Sequence, residues 1–270
     1  MKARIVLQSI AAAVAVMAAG AASATPVYPD FTVDTTALGG GGSLVPFVAN
    51  DISGQYHETL TFTSATTFTV ALNFTAQGFN YDDTNPAATK SYSAAQTGLG
   101  FNYSLLALFD GTGTYSTSGG VTTFSLNPGG ALSLTYDKGA NAFFNAPAGP
   151  GTGYTINANG DALTLLGGGN ATSGLGSENC SAPNLCGSFG QASTFALTAA
   201  GSSFFVSPVP FYGITLQSGQ FEGFPVAAGT TVTSSGSLNA VFAVPEPTGV
   251  ALVGIALLGL GMAVTRRRTL

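Results

Sequence analysis

The chain is 270 residues long and carries a formal net charge of −5. Charged residues make up only 7% of it, against roughly 25% in an average globular protein, and five of the seven basic residues sit at the two ends: Lys2, Arg4, Arg266, Arg267 and Arg268. Residues 25–247 hold two lysines against twelve acidic residues, a net charge of −10, which leaves no basic patch for a phosphate backbone and excludes nucleic acid as a partner.

The first element in chain order is an export signal over residues 1–24. Lys2 and Arg4 precede an apolar run over 5–22, broken only by Gln8, Ser9 and Gly20. The run closes on Ala22-Ser23-Ala24. This is the small-x-small pattern that signal peptidase accepts, with Ala22 and Ala24 as its determinants. Cleavage leaves Thr25 as the mature start. The alternative, an uncleaved membrane helix, fits the many small residues less well.

The body that follows, residues 25–243, has the material for a core. Nineteen Phe and nine Tyr, with Leu and Val, supply enough apolar surface for one large β domain. Residues 25–50 lack a pattern and read as loop. Leu60 and Phe62 then alternate with Thr59, Thr61 and Thr63. Phe68, Val70, Leu72 and Phe74 share one face, and Thr67, Thr69, Asn73 and Thr75 the other. This period of two marks half-buried strands. Phe101, Tyr103, Leu105 and Phe109 continue it, as do Leu132, Leu134 and Tyr136, then Phe195 and Leu197, then Leu238, Ala240 and Phe242. Gly-rich turns separate the segments at 111–113, 119–120, 129–130 and 149–153. Residues 139–185, rich in Gly, Ala, Asn and Pro, read as long irregular excursions. The expected fold is all-β, an antiparallel β-sandwich or jelly-roll-like domain of about ten to twelve strands.

Candidate chemistry is sparse. His57-Glu58-Thr59-Leu60-Thr61 opens like the His-Glu-x-x-His zinc motif, but Thr61 stands where the second ligand belongs, and the segment alternates as a strand. His57 is the only histidine, and no Gly-x-Ser-x-Gly elbow accompanies it. Asp82-Asp83 offers paired carboxylates for glycoside hydrolysis, or an exposed turn before Thr84-Asn85-Pro86. Asn157, Asn159 and Asp161, with Asp82, Asp83, Asp110 or Asp137, offer oxygen ligands for calcium, or ordinary turn chemistry. Asn73, Asn102, Asn170 and Asn179 head glycosylation sequons. Cys180 and Cys186 are the only cysteines. In an exported chain they read as a disulfide pinning a Pro-Asn loop, because metal binding lacks further Cys or His ligands. No complete catalytic constellation is present, so neither an enzyme nor a cofactor is expected.

The last element, residues 244–270, differs from everything before it. Pro245-Glu246-Pro247 precedes a charge-free run over 248–265, and Arg266-Arg267-Arg268 follow. Eighteen helical residues span about 27 Å, close to the ~30 Å of a bilayer core. The arginines place their side in the cytoplasm and the body outside the inner membrane.

The order of these three parts resembles the PEP-CTERM sorting domain: a Pro-Glu-Pro motif, a transmembrane helix and a basic cluster. That resemblance implies processing near Pro245-Glu246-Pro247 by exosortase, a membrane-embedded transpeptidase of Gram-negative bacteria that make exopolysaccharide. The body is also similar to the flocculation-associated PEP-CTERM proteins of the PepA family. The likeness is carried by Cys186-Gly187-Ser188-Phe189-Gly190-Gln191, Thr194-Phe195-Ala196-Leu197-Thr198, Pro208-Val209-Pro210-Phe211-Tyr212, Gln217-Ser218-Gly219-Gln220 and Gly236-Ser237-Leu238-Asn239, with Phe31-Thr32-Val33-Asp34 and Ile52-Ser53-Gly54-Gln55-Tyr56 near the mature start. It implies a biofilm protein of the cell surface and extracellular matrix that promotes flocculation, with exopolysaccharide or neighbouring cells as partners and no catalytic residues. A secreted polysaccharide-acting enzyme and a calcium-dependent lectin-like module are the competing expectations.

Overall fold

The period-two segments become strands, apart from Phe101, which is exposed in a turn, and Phe195, which lies between two strands. A computed structural model describes residues 29–81, 90–179, 185–208, 211, 213–218, 221–222 and 226–243. The signal peptide with Ala22 and Ala24, the Asp82-Asp83 pair, Cys180, and the sorting tail with Pro245, Glu246, Pro247, Arg266, Arg267 and Arg268 lie outside the described residues.

In chain order the strands are β1 (Phe31–Val33), β2 (Phe47–Ala49), β3 (Asp51–Phe62), β4 (Thr67–Tyr81), β5 (Lys90–Ser91), β6 (Tyr103–Ser118), β7 (Val121–Leu126), β8 (Gly129–Lys138), β9 (Phe143–Asn145), β10 (Thr155–Asn157), β11 (Leu163–Glu178), β12 (Leu185–Thr194), β13 (Ala196–Leu197), β14 (Phe205–Ser207), β15 (Gly213–Ser218), β16 (Phe221–Glu222) and β17 (Thr231–Ala243). Among the described residues helix is confined to short pieces: a 3-10 turn over Thr35–Leu38, α1 (Ala94–Thr97) and α2 (Ala199–Phe204). No helix among the described residues is long and apolar enough to cross a membrane.

The long strands pair in the order of the chain. β3 pairs with β4, and β4 with β6. β7 and β8 lie end to end along β6 and together face β11 on their other side. β11 pairs with β12, β12 with β15 and β15 with β17. Finally β17 pairs with β3, from Thr231 opposite Thr61 to Ala240 opposite Ile52. Every pairing is antiparallel, and the last strand meets the first. The all-β antiparallel expectation is met. Opposite walls pack across a shared core as in a sandwich, and the walls are joined into a closed up-and-down circuit. The crossing connections of a jelly roll do not occur in this circuit.

Alternation sorts the side chains. On β4, Phe68, Val70, Leu72, Phe74 and Ala76 are buried. Ile52, Tyr56, Leu60 and Phe62 on β3 face the same interior, as do Leu105, Ala107, Phe109 and Tyr115 on β6 and Leu238, Ala240 and Phe242 on β17. Eight walls enclose a space that side chains just fill. The residual cavity bordered by Ile52, Leu72, Leu105 and Phe242 is about 20 Å³. That is room for one water and no ligand.

One end of the barrel is closed by aromatics. Phe31 on β1 sits edge-on to Phe205, Phe211 and Phe242, with ring centroids 5.8, 6.4 and 5.2 Å away. Such edge-to-face pairs add stability beyond their buried area. The small sheet β14-β1-β2 carries this cap. Residues 25–50, expected as loop, therefore contribute two of its strands.

Residues 139–185 also depart from expectation. They include β11, a strand of 16 residues. Its glycines replace the alternating large residues that mark a strand, for a steric reason. A methyl on Gly174 would lie 2.6 Å from the Leu126 side chain, and one on Gly169 would run into the Thr194 carbonyl. The neighbouring walls supply the bulk that β11 lacks.

Candidate functional site

The outer wall differs in chemistry from the interior. Strand pairing aligns its hydroxyl side chains into rows. Thr231, Thr61, Thr69 and Thr112 stand side by side across β17, β3, β4 and β6. In the next row are Thr59, Ala71, Asp110 and Ala131 across β3, β4, β6 and β8. Neighbours in a row are about 4.8 Å apart along the sheet. The small residues Ala71, Ala131 and Gly130 leave a hollow between taller Thr and Asp side chains.

A flap roofs this hollow. β9 and β10 form a hairpin, Asn145 opposite Thr155, and residues 149–153 are its tip. The tip is held by its own hydrogen bonds. The Gly149 amide donates to Thr152 Oγ1 (3.0 Å), and the Thr152 hydroxyl donates to the Gly149 carbonyl (2.6 Å). Gly151 has a left-handed φ of 74°, which a glycine adopts without strain. The Tyr154 and Thr59 hydroxyls lie 2.9 Å apart and tie the flap to β3. Gly153 lies so close over Asp110 that a methyl there would collide with both carboxylate oxygens.

The resulting cleft measures about 410 Å³ and is bordered by Thr59, Thr61, Thr69, Asp110, Thr112 and Asn170, with Gly151 and Thr152 above. Thr59 and Thr61 lie buried at its floor, whereas Asp110, Thr112, Thr152 and Asn170 form an exposed rim. Most of the floor is already fixed in place. The Thr61 and Thr231 hydroxyls are 3.2 Å apart, and Asn127 Nδ2 donates to Thr112 Oγ1 at 3.1 Å. Asn170 Nδ2 donates to the Gly130 carbonyl. Burial under the flap pushes the Asp110 carboxyl above its ordinary value.

The other candidate residues do not meet at this cleft. His57 is exposed in the middle of β3, and Glu58 next to it is buried in the barrel. Strand alternation thus puts the two on opposite sides of the wall, and no zinc motif forms. Glu58 lies among Leu60, Phe68, Val70, Phe124, Leu126 and Phe189, and this burial pushes its carboxyl up to about 7. Its inward position was open to sequence reasoning, since it shares parity with Leu60 and Phe62.

Of the calcium candidates, Asn157, Asn159 and Asp137 are engaged in local hydrogen bonds, Asp110 stands apart at the cleft, and Asp82 and Asp83 lie outside the described residues. Asn157 Oδ1 accepts from the Asn159 amide at 2.9 Å, and Asn159 has a φ of 49°. Asp137 Oδ2 accepts from Ser104 Oγ (3.0 Å) and from the Asn141 and Ala142 amides (2.9 Å each). Among the described residues, no group of three His, Cys, Asp or Glu side chains gathers as a metal site. Asn73 is buried, with 2% of its surface exposed, which closes that sequon to a glycan. Cys186 is in β12, and its pairing with Cys180 falls outside the described residues. No family model, curated protein or solved structure matches the chain.

Proposed function

We propose that this is an exported, exosortase-sorted protein of the cell surface and extracellular matrix that promotes cell aggregation, or flocculation, within exopolysaccharide, and that it is not an enzyme. Signal peptidase and exosortase process it. It passes through a transient inner-membrane anchor, 248–265, and its working partner is exopolysaccharide or a neighbouring cell surface.

The observation that carries this reading is the division of the barrel. The interior is filled by side chains, and the cavities bordered by Ile52 and Phe242 and by Glu58 and Phe189 are each about 20 Å³, too small for a substrate. The outer wall presents rows of hydroxyls with one carboxylate, Asp110, at the cleft. Hydrolysis of a glycosidic bond uses two carboxyl groups across the scissile bond, and among the described residues the cleft brings one, which favours holding over cutting. The outward Thr, Ser and Asn of the strands also oppose the lipid-facing apolar band of a membrane barrel. Sorting rests on the tail. The tail's Pro245-Glu246-Pro247, charge-free run and arginine cluster support it from the sequence.

The test is a strain lacking the protein, complemented with variants. Loss of the protein should abolish flocculation. Glu246→Ala should leave unprocessed chain in the inner membrane and weaken aggregation, and removal of 245–270 should release soluble protein without restoring it. Normal flocculation by the strain lacking the protein would refute the reading.

A further inference from the structure

We propose that the outer cleft between the Asp110 row and the 149–153 flap binds a neutral, hydroxyl-rich saccharide segment about one or two rings long. This rests on the matrix-protein reading above and names the chemistry of its ligand.

The donor and acceptor inventory points there. Thr69 and Thr112 bring hydroxyls that can donate as well as accept, Thr59 and Thr61 share theirs with Tyr154 and Thr231 and keep lone pairs to accept, Thr152 has given its proton to the Gly149 carbonyl and can only accept, and Asn170 adds an amide. The Asp110 carboxylate makes no hydrogen bond among the described residues, and although Gly153 lies over it the residue is exposed at the rim, so it is left to accept from ligand hydroxyls. A sugar ring presents adjacent O–H groups that donate to a carboxylate and accept from Thr hydroxyls. Among the described residues no Lys, Arg or His borders the cleft. An anionic ligand would therefore face Asp110 without a counter-charge, in a body that is already net negative. A hydrocarbon ligand would bury the hydroxyls unpaired.

Size and rigidity agree with this. The 410 Å³ volume falls in the range of small-molecule sites, roughly 300–1,000 Å³. The floor is fixed by sheet pairing and the flap by its own turn, so little ordering accompanies binding. The exposed rim at Asp110, Thr112, Thr152 and Asn170 admits a sugar that belongs to a longer polymer.

The test uses the full chain purified in detergent, titrated calorimetrically with cellotetraose, mannotetraose, galactotetraose and tetragalacturonate. At least one neutral tetrasaccharide should bind saturably, and tetragalacturonate should not. Asp110→Ala should weaken binding roughly tenfold or more. Gly153→Ala should do the same by pressing a methyl against the carboxylate, while Thr123→Ala, on the outer wall away from the cleft, should leave binding unchanged. Melting temperatures of the three variants should match that of the parent.

Failure to bind any neutral tetrasaccharide, tighter binding of tetragalacturonate, or parental affinity in Asp110→Ala and Gly153→Ala would each overturn the assignment. Flocculation separates the two readings. If loss of the protein abolishes flocculation but Asp110→Ala restores it fully, the cleft assignment falls alone. If loss of the protein changes nothing, the functional reading falls.

Discussion

β4 and β11 are strands of nearly equal length, 15 and 16 residues, in walls of the same barrel, yet they are built on opposite plans. β4 fills the interior with its own side chains, Phe68, Val70, Leu72 and Phe74. β11 brings glycine at 167, 168, 169, 174 and 176 and lets its neighbours fill the space. Phe195 packs over Gly167, and Leu126 over Gly174. A wall is thus defined by the volume between strands, whichever strand supplies it. Close packing makes the two plans equally demanding, since missing bulk and added bulk both destabilise a filled interior.

The largest effect should come from removing bulk on the first plan. Phe74→Ala should lose about 3–5 kcal/mol of unfolding free energy in chemical denaturation, from transfer and cavity terms together. On the second plan the damage should come from adding bulk. Gly174→Val, pressed against Leu126, should lose about 1–3 kcal/mol, whereas valine at an ordinary strand position is favourable. A neutral or stabilising Gly174→Val would show that β11 yields and would break the comparison.

Charge in the filled interior sharpens the same point. The Glu58 carboxyl, raised by burial from 4.5 to about 7, keeps its proton in the fold at a pH where the unfolded chain has released it. Folding therefore takes up a proton between these values. Stability should fall as pH rises from about 4.5 to 7 and then level off, by about 3 kcal/mol in total for this group. Glu58→Gln should flatten that slope in denaturation curves taken across the window. The smallest effect belongs to the outer wall: Thr123→Ala, at an exposed position, should shift stability by no more than about 0.5 kcal/mol.

This contrast explains what the sequence disclosed. The walls β3, β4, β6, β8 and β17 were legible because each carries its own alternating apolar set. β11 was hidden because its signal lies in Phe195, Leu126 and Phe124 on other strands. Closure of the circuit was out of reach for a related reason: the pairing of Thr231 with Thr61 joins residues 170 positions apart and leaves no local mark. The cleft required two such distant events, Thr59 and Asp110 brought into neighbouring positions on the wall and Gly153 laid over the carboxylate. The inward turn of Glu58, by contrast, follows from simple parity with Leu60.

The pairing of β17 with β3 has a consequence for the protein at high concentration. Strands rich in Thr, Val and Phe are the material of cross-β fibrils, and a sheet with an open edge offers its unpaired amides and carbonyls as a template for the next chain. Here the ten residue pairs from Thr231–Thr61 to Ala240–Ile52 occupy that edge from within. The circuit therefore presents no open edge between β3 and β17 to a second copy, and contact with another molecule along these two strands passes through side chains on the outer wall.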